Sequence, residues 1–180
     1  MLEKIMYQIG DLIIYGSYGA CRVEAIGTPD ISGLDETRIY YTLCPFYQNG
    51  KVFTPIDTSV FMRPIITYEK AQQLIDIIPS IRTESNISNN SKLVEVQYQE
   101  SMQSHECSDL IKVIKTVYTK RVIAVEQGKK LGQIDERYMK KAEDLLYGEL
   151  AVALGIPRDD VKSYIEERVD KANNGLAINS

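Results

Sequence analysis

The tripeptide His105-Glu106-Cys107 contains the residue types that catalysis and metal binding use most often. A histidine close to a cysteine could form a nucleophilic pair or supply two zinc ligands. Residues one or two positions apart do not share a helix face, however, and the chain has no second histidine to complete a zinc site. We interpret the tripeptide as a helix-start histidine beside a spectator thiol.

Other motifs of catalysis are missing from the sequence. It contains no P-loop, no dinucleotide-binding glycine pattern and no G-x-S-x-G, and Gly10, Gly16 and Gly19 are turn glycines that no helix follows. We therefore predict that the protein is not an enzyme, has no catalytic or metal-binding residues and needs no cofactor.

A basic segment, 112–141, could contact a nucleic acid. It holds nine lysines and arginines against three acidic residues, although the whole chain has a formal net charge of −4. The next segment, 142–170, holds eight acidic and three basic residues. A positive patch can dock on a phosphate backbone and release counterions. The alternative is a solvated helix face with i,i+4 pairs such as Glu136–Lys140, and charge alone favours that alternative.

Short β-type runs separated by turns make up the first third of the chain. The turns contain Gly10, the stretch Gly16-Ser17-Tyr18-Gly19, and Asn49-Gly50. Several short strands at this spacing predict a small all-β barrel, a fold that usually binds a partner. The predicted strands are 12–15, 20–26, 38–44 and 51–54.

After Arg63 the spacing of apolar residues changes from the period of a strand to the period of a helix. Thr67 is a predicted N-cap, Pro79 stops the first helix, and Gly155 is a predicted C-cap. We predict further helices at 93–103, 107–126 and 135–154, a polar connecting loop at 82–91, and a last short helix with Pro157 in its first turn. The predicted stripe of the third helix comprises Leu110, Ile111, Ile114, Val117, Tyr118 and Val122.

The predicted fold class is α+β with two domains. We place the β-barrel at 1–66, the all-α domain at 67–172, and a disordered tail at 173–180.

A series of short motifs runs along nearly the whole chain in a fixed order and spacing. The motifs are Ile9-Gly10-Asp11, Tyr15 with Gly19, Val23-Glu24-Ala25-Ile26, Gly33, Tyr40-Tyr41, Pro55, Arg63, Val113-Ile114-Lys115, and the run Leu131 to Leu150 with Arg137, Lys141, Ala142 and Gly148-Glu149-Leu150-Ala151. In these motifs and their order the chain resembles the CarD/CdnL family of bacterial transcription regulators. The resemblance implies a Tudor/SH3-like barrel that binds RNA polymerase, followed by a helical domain that contacts promoter DNA.

The resemblance implies that the barrel adds a strand edge to the polymerase β subunit. The polymerase-binding candidates are Lys51, Val52, Phe53, Thr54, Pro55 and Arg63. Relatives often carry arginines on this surface, where this chain has Pro29 and Phe53. We therefore expect Phe53 either to dock through apolar burial or to be an ordinary half-exposed strand residue.

The resemblance also implies contact with promoter DNA at the upstream edge of the melted bubble. The DNA-binding candidates are Lys92, Lys115, Lys120, Arg137 and Lys141. Relatives insert a tryptophan wedge, but this chain has no tryptophan. Leu93 or Val94 could substitute, followed by Glu95-Val96-Gln97 where relatives are basic.

Composition is consistent with a soluble cytoplasmic protein, and we expect it to be a monomer. No apolar run approaches the roughly 18 residues of a membrane span, the first residues lack a secretion-signal layout, and three scattered cysteines indicate spectator thiols. Our leading hypothesis is a regulator that bridges polymerase and promoter DNA to modulate open-complex formation. The alternative is an interaction module that binds polymerase or another protein without contacting DNA, and a helical enzyme-accessory domain is a distant third.

Overall fold

The computed structural model describes residues 7–83 and 90–178, with side-chain surroundings to residue 173. The chain divides into two compact units between Ile66 and Thr67. The first unit is an antiparallel β-sheet and the second is all-helical. An α+β fold with a β unit followed by a helical unit is therefore confirmed.

Within the described residues of the first unit, five strands form the sheet, in the order β4-β3-β2-β1-β5. The strands are β1 (Leu12–Tyr15), β2 (Gly19–Gly27), β3 (Tyr40–Pro45), β4 (Val52–Pro55) and β5 (Met62–Pro64). All pairings are antiparallel, and the β2–β3 register shifts between Val23 and Ala25. The sheet order leaves β4 and β5 at its two edges.

One face of the sheet builds the core of the first unit. The alternation of each strand places every second side chain on this face. The cluster contains Tyr7, Ile13, Tyr15, Cys21, Val23, Tyr41 and Leu43. Burying a large aliphatic side chain contributes roughly 1.5–3 kcal/mol, so these residues supply most of the stability of the unit. Burial also raises the pKa of the Cys21 thiol to about 12, with Cys44 adding to the effect.

The turn between β1 and β2 requires glycine at its first position. Residues 16–18 form one turn of 3-10 helix, and Gly16 has φ of 44°. A Cβ on Gly16 would lie 2.9 Å from Val60 Cγ1, so a larger residue would meet both backbone strain and a steric contact.

The described part of the second unit contains five α-helices: α1 (Tyr68–Ile77), α2 (Ser91–Gln103), α3 (Cys107–Glu126), α4 (Gln133–Leu154) and α5 (Arg158–Ile178). Local capping explains several of their ends. The Thr67 side chain accepts a hydrogen bond from Lys70 N at 3.2 Å, Asn90 caps α2 in the same way, and Gly155 ends α4 in the left-handed conformation.

The predicted stripe of α3 is buried in the first part of the helix only. Leu110, Ile111 and Val117 are buried, whereas Tyr118 is 59% exposed and Val122 is exposed as well. Tyr118 lines an open cavity of about 290 Å³ between α3, α4 and α5. Lys120 faces Asp135 in the first turn of α4, so the end of α3 extends past the helix that would cover it.

The carboxyl end of the chain differs from the prediction. The last helix, expected to be short, spans 21 residues and continues to Ile178. The predicted tail at 173–180 is therefore helical up to 178, and its last two positions lie outside the described residues. No proline occurs after Pro157 to interrupt the helix. Positions 84–89 of the predicted connecting loop also lie outside the described residues.

No helix in the described part of the chain is long and apolar enough to cross a membrane.

Candidate functional site

Strand β4 lies at the edge of the sheet and contains four of the predicted docking residues. It pairs with β3 through Thr42↔Phe53 and Tyr41↔Thr54, and among the strands that the structure describes β3 is its one neighbour. An edge strand presents unpaired backbone donors and acceptors to which an added strand can bind. The β4 edge therefore has the geometry that strand addition requires.

The side chains of β4 alternate between two roles. Val52 packs against the core cluster, and buried Thr54 accepts a hydrogen bond from the Tyr15 hydroxyl at 3.0 Å. Phe53 and Pro55 occupy the alternate positions and are partly buried. Because Val52 and Thr54 are fixed to the core, they can offer a partner backbone groups, while Phe53 can also offer a side chain.

Lys51 and Arg63, the other two docking candidates, lie outside β4, although Lys51 was predicted to begin that strand. Lys51 Nζ lies 2.7 Å from Glu24 Oε2, an exposed ion pair that raises the pKa of the lysine. Arg63 belongs to β5, at the opposite end of the sheet order, and donates a hydrogen bond to the carbonyl oxygen of Pro64. The sheet order therefore separates Arg63 from the other five candidates.

Lys115, one of the five DNA candidates, binds the 3-10 turn Ile78–Ser80 that follows α1, and Ile81 after it. Its Nζ donates hydrogen bonds to the carbonyl oxygens of Ile78 at 2.8 Å, Pro79 at 3.4 Å and Ile81 at 2.6 Å. Carbonyls at a helix end lack helical partners and carry partial negative charge, so a lysine there is stabilising. The Lys115 ammonium is thus engaged within the helical unit.

Lys120 is also engaged within the helical unit. Its Nζ lies 2.8 Å from Asp135 Oδ1 and 3.0 Å from the Tyr98 hydroxyl, and the Tyr98 hydroxyl donates to the same carboxylate oxygen at 2.6 Å. Burial, together with the hydrogen bond and charge of Asp135, raises the pKa of Tyr98. This triad connects α2, α3 and α4.

The three remaining DNA candidates share one face of α2 and α4. Glu95 pairs with Arg137 while Tyr98 bonds Asp135, so the two helices run antiparallel and the start of α2 approaches the middle of α4. Lys92 lies one turn before Glu95, and Lys141 one turn after Arg137. All three cationic side chains are exposed, and we refer to Lys92, Arg137 and Lys141 as the basic face.

The rings of Tyr138 and Tyr98 pack beneath the exposed cations of α4. The Arg137 guanidinium lies 5.2 Å from the centroid of the Tyr138 ring, and Lys141 Nζ lies 5.3 Å from the same centroid. The Tyr138 ring in turn packs on Tyr98 at 5.4 Å between centroids. These contacts hold the charges near the surface of α4.

The two wedge candidates have different surroundings. Val94 is buried against the helical unit, whereas Leu93 is 49% exposed. A wedge must protrude in order to enter a base step. Of these two residues, Leu93 has the exposure that the role requires.

Sequence reasoning missed three acidic partners. Asp135 neutralises Lys120, Glu95 binds Arg137, and Glu149 accepts a hydrogen bond from the Cys107 thiol at 3.1 Å. Glu149 is only 2% exposed. Its position between Gly148 and Leu150 on an apolar helix face was the available signal, since a carboxylate in such a run is buried with a donor. No local pattern could have indicated the two long-range pairs.

The structure offers no metal site in the part of the chain that it describes, since no three His, Cys, Asp or Glu side chains there cluster suitably. His105 lies in the turn between α2 and α3 with φ of 55°, and Cys107 begins α3.

Comparison with protein families identifies the first unit. A family model described as CarD-like/TRCF RID domain matches residues 7–66, which is all of the sheet unit that the structure describes. The helical unit lies outside this match.

Proposed function

Because residues 7–66 belong to the CarD-like/TRCF RID domain family, which implies an RNA polymerase partner, we propose that this protein is a CarD-like transcription regulator. In this proposal the sheet unit is a Tudor/SH3-like barrel that stays open at β4, and it binds the polymerase β subunit through that edge. The helical unit contacts promoter DNA at the upstream edge of the bubble and modulates open-complex formation. The role is one of binding, without a catalytic step.

The position of β4 at the sheet edge carries the docking proposal. Strand addition needs a backbone edge that is accessible and already held in the extended conformation. The core contact of Val52 and the Tyr15–Thr54 hydrogen bond hold β4 in that conformation. Phe53 then supplies apolar area in place of the arginines of relatives, which replaces charge-based recognition with burial.

The basic face carries the DNA proposal. Three exposed cations that approach one duplex would release about three counterions, a contribution that is independent of base sequence. Leu93 follows Lys92 directly and protrudes from the start of α2, where it can press on an unstacked base step. In this proposal Lys115 and Lys120 do not contact DNA themselves. Their hydrogen bonds position the helices that carry the basic face.

Some of the basic side chains already bind acceptors within the helical unit, and this favours a second candidate function. Lys115, Lys120 and Arg137 each bind acceptors of the helical unit, which lowers the positive charge available to a phosphate backbone. An interaction module that binds polymerase, or another protein with an open sheet edge, would need none of these charges for DNA.

Two measurements test the proposal. The purified chain should bind RNA polymerase core and the isolated amino-terminal lobe of the β subunit. In promoter-opening assays, Arg137→Glu with Lys141→Glu should abolish the effect on open complexes while polymerase binding remains. Lys129→Glu with Lys130→Glu is the matched control, because it makes the same charge change in the exposed α3–α4 connection. Failure to bind core would refute docking, and a double variant that acts like the parent would favour the module without DNA contact.

A further inference from the structure

A single carboxylate divides the basic face. Glu95 lies on α2 one turn after Lys92, and its Oε1 accepts a hydrogen bond from Arg137 Nη2 on α4. The same oxygen lies 3.3 Å from the Tyr138 hydroxyl, which donates to it. The carboxylate therefore sits among the three cations to which we assign DNA contact, and reduces their combined charge.

The contact also fixes where the Arg137 guanidinium points. The guanidinium contacts the Glu95 carboxylate of α2 and lies 5.2 Å from the centroid of the Tyr138 ring. A planar guanidinium binds a phosphate best through two parallel N–H donors. With one terminal nitrogen committed to Glu95, Arg137 is held away from that geometry.

We propose that Glu95 is an autoinhibitory residue of the basic face, which holds Arg137 until polymerase docking brings DNA within reach. This inference rests on the proposed function. Free DNA must displace the carboxylate from Arg137 and also approach its negative charge. DNA delivered by a docked polymerase is present at a high effective concentration, and can exchange with Glu95 for the guanidinium.

The ion pair between Arg137 and Glu95 is weak enough to open when DNA competes for the guanidinium. The Arg137 side chain is 51% exposed and the Glu95 side chain 33% exposed, so solvent screens their attraction. A partly exposed pair opens readily, unlike the Lys120–Asp135 pair, whose side chains are 12% and 17% exposed. The net charge of −4 adds a general barrier to free DNA binding. The order of events would then be polymerase first and DNA second.

The test compares Glu95→Gln with Glu100→Gln in the full chain. Both variants remove one negative charge from α2, but Glu100 lies about 140° around the helix from Glu95 and is exposed. Fluorescence anisotropy would measure binding to a short labelled duplex with an unpaired bubble, across a salt series, with circular dichroism to verify folding. The same two substitutions would also be made together with Arg137→Gln.

The proposal expects Glu95→Gln to bind the duplex about 3- to 8-fold tighter at low salt, as expected for one unit charge a few ångströms from a phosphate. The salt dependence should steepen by about one counterion, because Arg137 then reaches a phosphate. Glu100→Gln should bind like the parent. In the Arg137→Gln background, Glu95→Gln should gain clearly less, because only the repulsion between the carboxylate and DNA is then removed.

Three outcomes would overturn the inference in distinguishable ways. Equal affinities of the Glu95 and Glu100 variants, with measurable binding by the parent, would remove the role of Glu95 and leave DNA contact intact. A gain of equal size in the Arg137→Gln background would show simple charge repulsion instead of a held arginine. Absence of duplex binding by every variant, Glu95→Gln included, would refute DNA contact itself, and the autoinhibition with it.

Discussion

Lys120 Nζ on α3 lies 2.8 Å from Asp135 Oδ1 on α4, and the Tyr98 hydroxyl of α2 bonds both groups. Lys120, which belongs to the most basic segment of the chain, is thus one of three polar residues that join three helices. The basic segment contains cations with structural roles as well as cations that face solvent, and the two classes should respond differently to substitution.

Replacing Lys120 should therefore destabilise the helical unit. In Lys120→Gln the Asp135 carboxylate loses its charged partner in a largely buried position, and we expect a loss of about 1–3 kcal/mol in the free energy of unfolding. Urea unfolding followed by circular dichroism would measure it. Lys140→Gln, whose side chain is 76% exposed, is the control and should change stability by less than about 0.5 kcal/mol. Equal midpoints for the two variants would contradict a structural role for the triad.

Lys115 should stabilise the end of α1. Lys115→Met keeps the aliphatic stem but removes the donor that binds the carbonyl groups of Ile78, Pro79 and Ile81. We expect a loss of about 1–2 kcal/mol, with faster amide exchange in α1. Lys130→Met, at an exposed position in the α3–α4 connection, should leave both unchanged. If exchange in α1 matches that of the parent, Lys115 does not cap the helix.

Phe53 should control the affinity for polymerase. Phe53→Glu introduces charge at the β4 edge and removes apolar area, so binding to polymerase core should weaken roughly 10- to 100-fold. Ile9→Glu makes the same type of change at a position that is 66% exposed and lies outside β4. Titration of each variant against labelled core would compare them. An unchanged affinity for Phe53→Glu would move the interface away from this strand.

The pairing of α1 with α5 should make stability depend on pH on the acid side. Arg168 Nε and Nη2 lie 2.6 Å and 2.9 Å from the two oxygens of Asp76, and this hydrogen bonding lowers the pKa of the carboxyl. A carboxyl with a lowered folded-state pKa stabilises the fold above its unfolded value, and the stabilisation is lost as the pH falls through the folded value.

Asp76→Asn should accordingly be less stable than the parent at neutral pH by no more than about 1 kcal/mol, because the pair is largely solvent-exposed. The difference should shrink as the pH falls below about 4, where the unfolded chain takes up a proton that the folded Asp76 carboxyl still resists. Thermal unfolding across a pH series would measure it, with Asp170→Asn on the exposed face of α5 as the control. A difference that stays constant into acid would exclude the ionised pair as its cause.

Local signals in the sequence determined most of the secondary structure. Thr67 as N-cap, Gly155 as C-cap and the bounds of α3 were predicted and are found in the structure. These features depend on neighbours within a few residues, so the chain encodes them directly. Strand β5 was missed because its three residues gain their extended conformation from pairing with β1, about fifty positions away.

Only the tertiary structure decided which basic side chains stabilise the fold and which of them face solvent. The sequence shows Lys115, Lys120 and Arg137 as similar members of one basic segment. In the folded unit the first caps α1, the second pairs with Asp135, and the third binds Glu95 at the surface. Side-chain periodicity specifies which face of a helix a residue occupies, but the partner on that face comes from another helix. Coulomb energy depends on that distance in space, and only packing sets it.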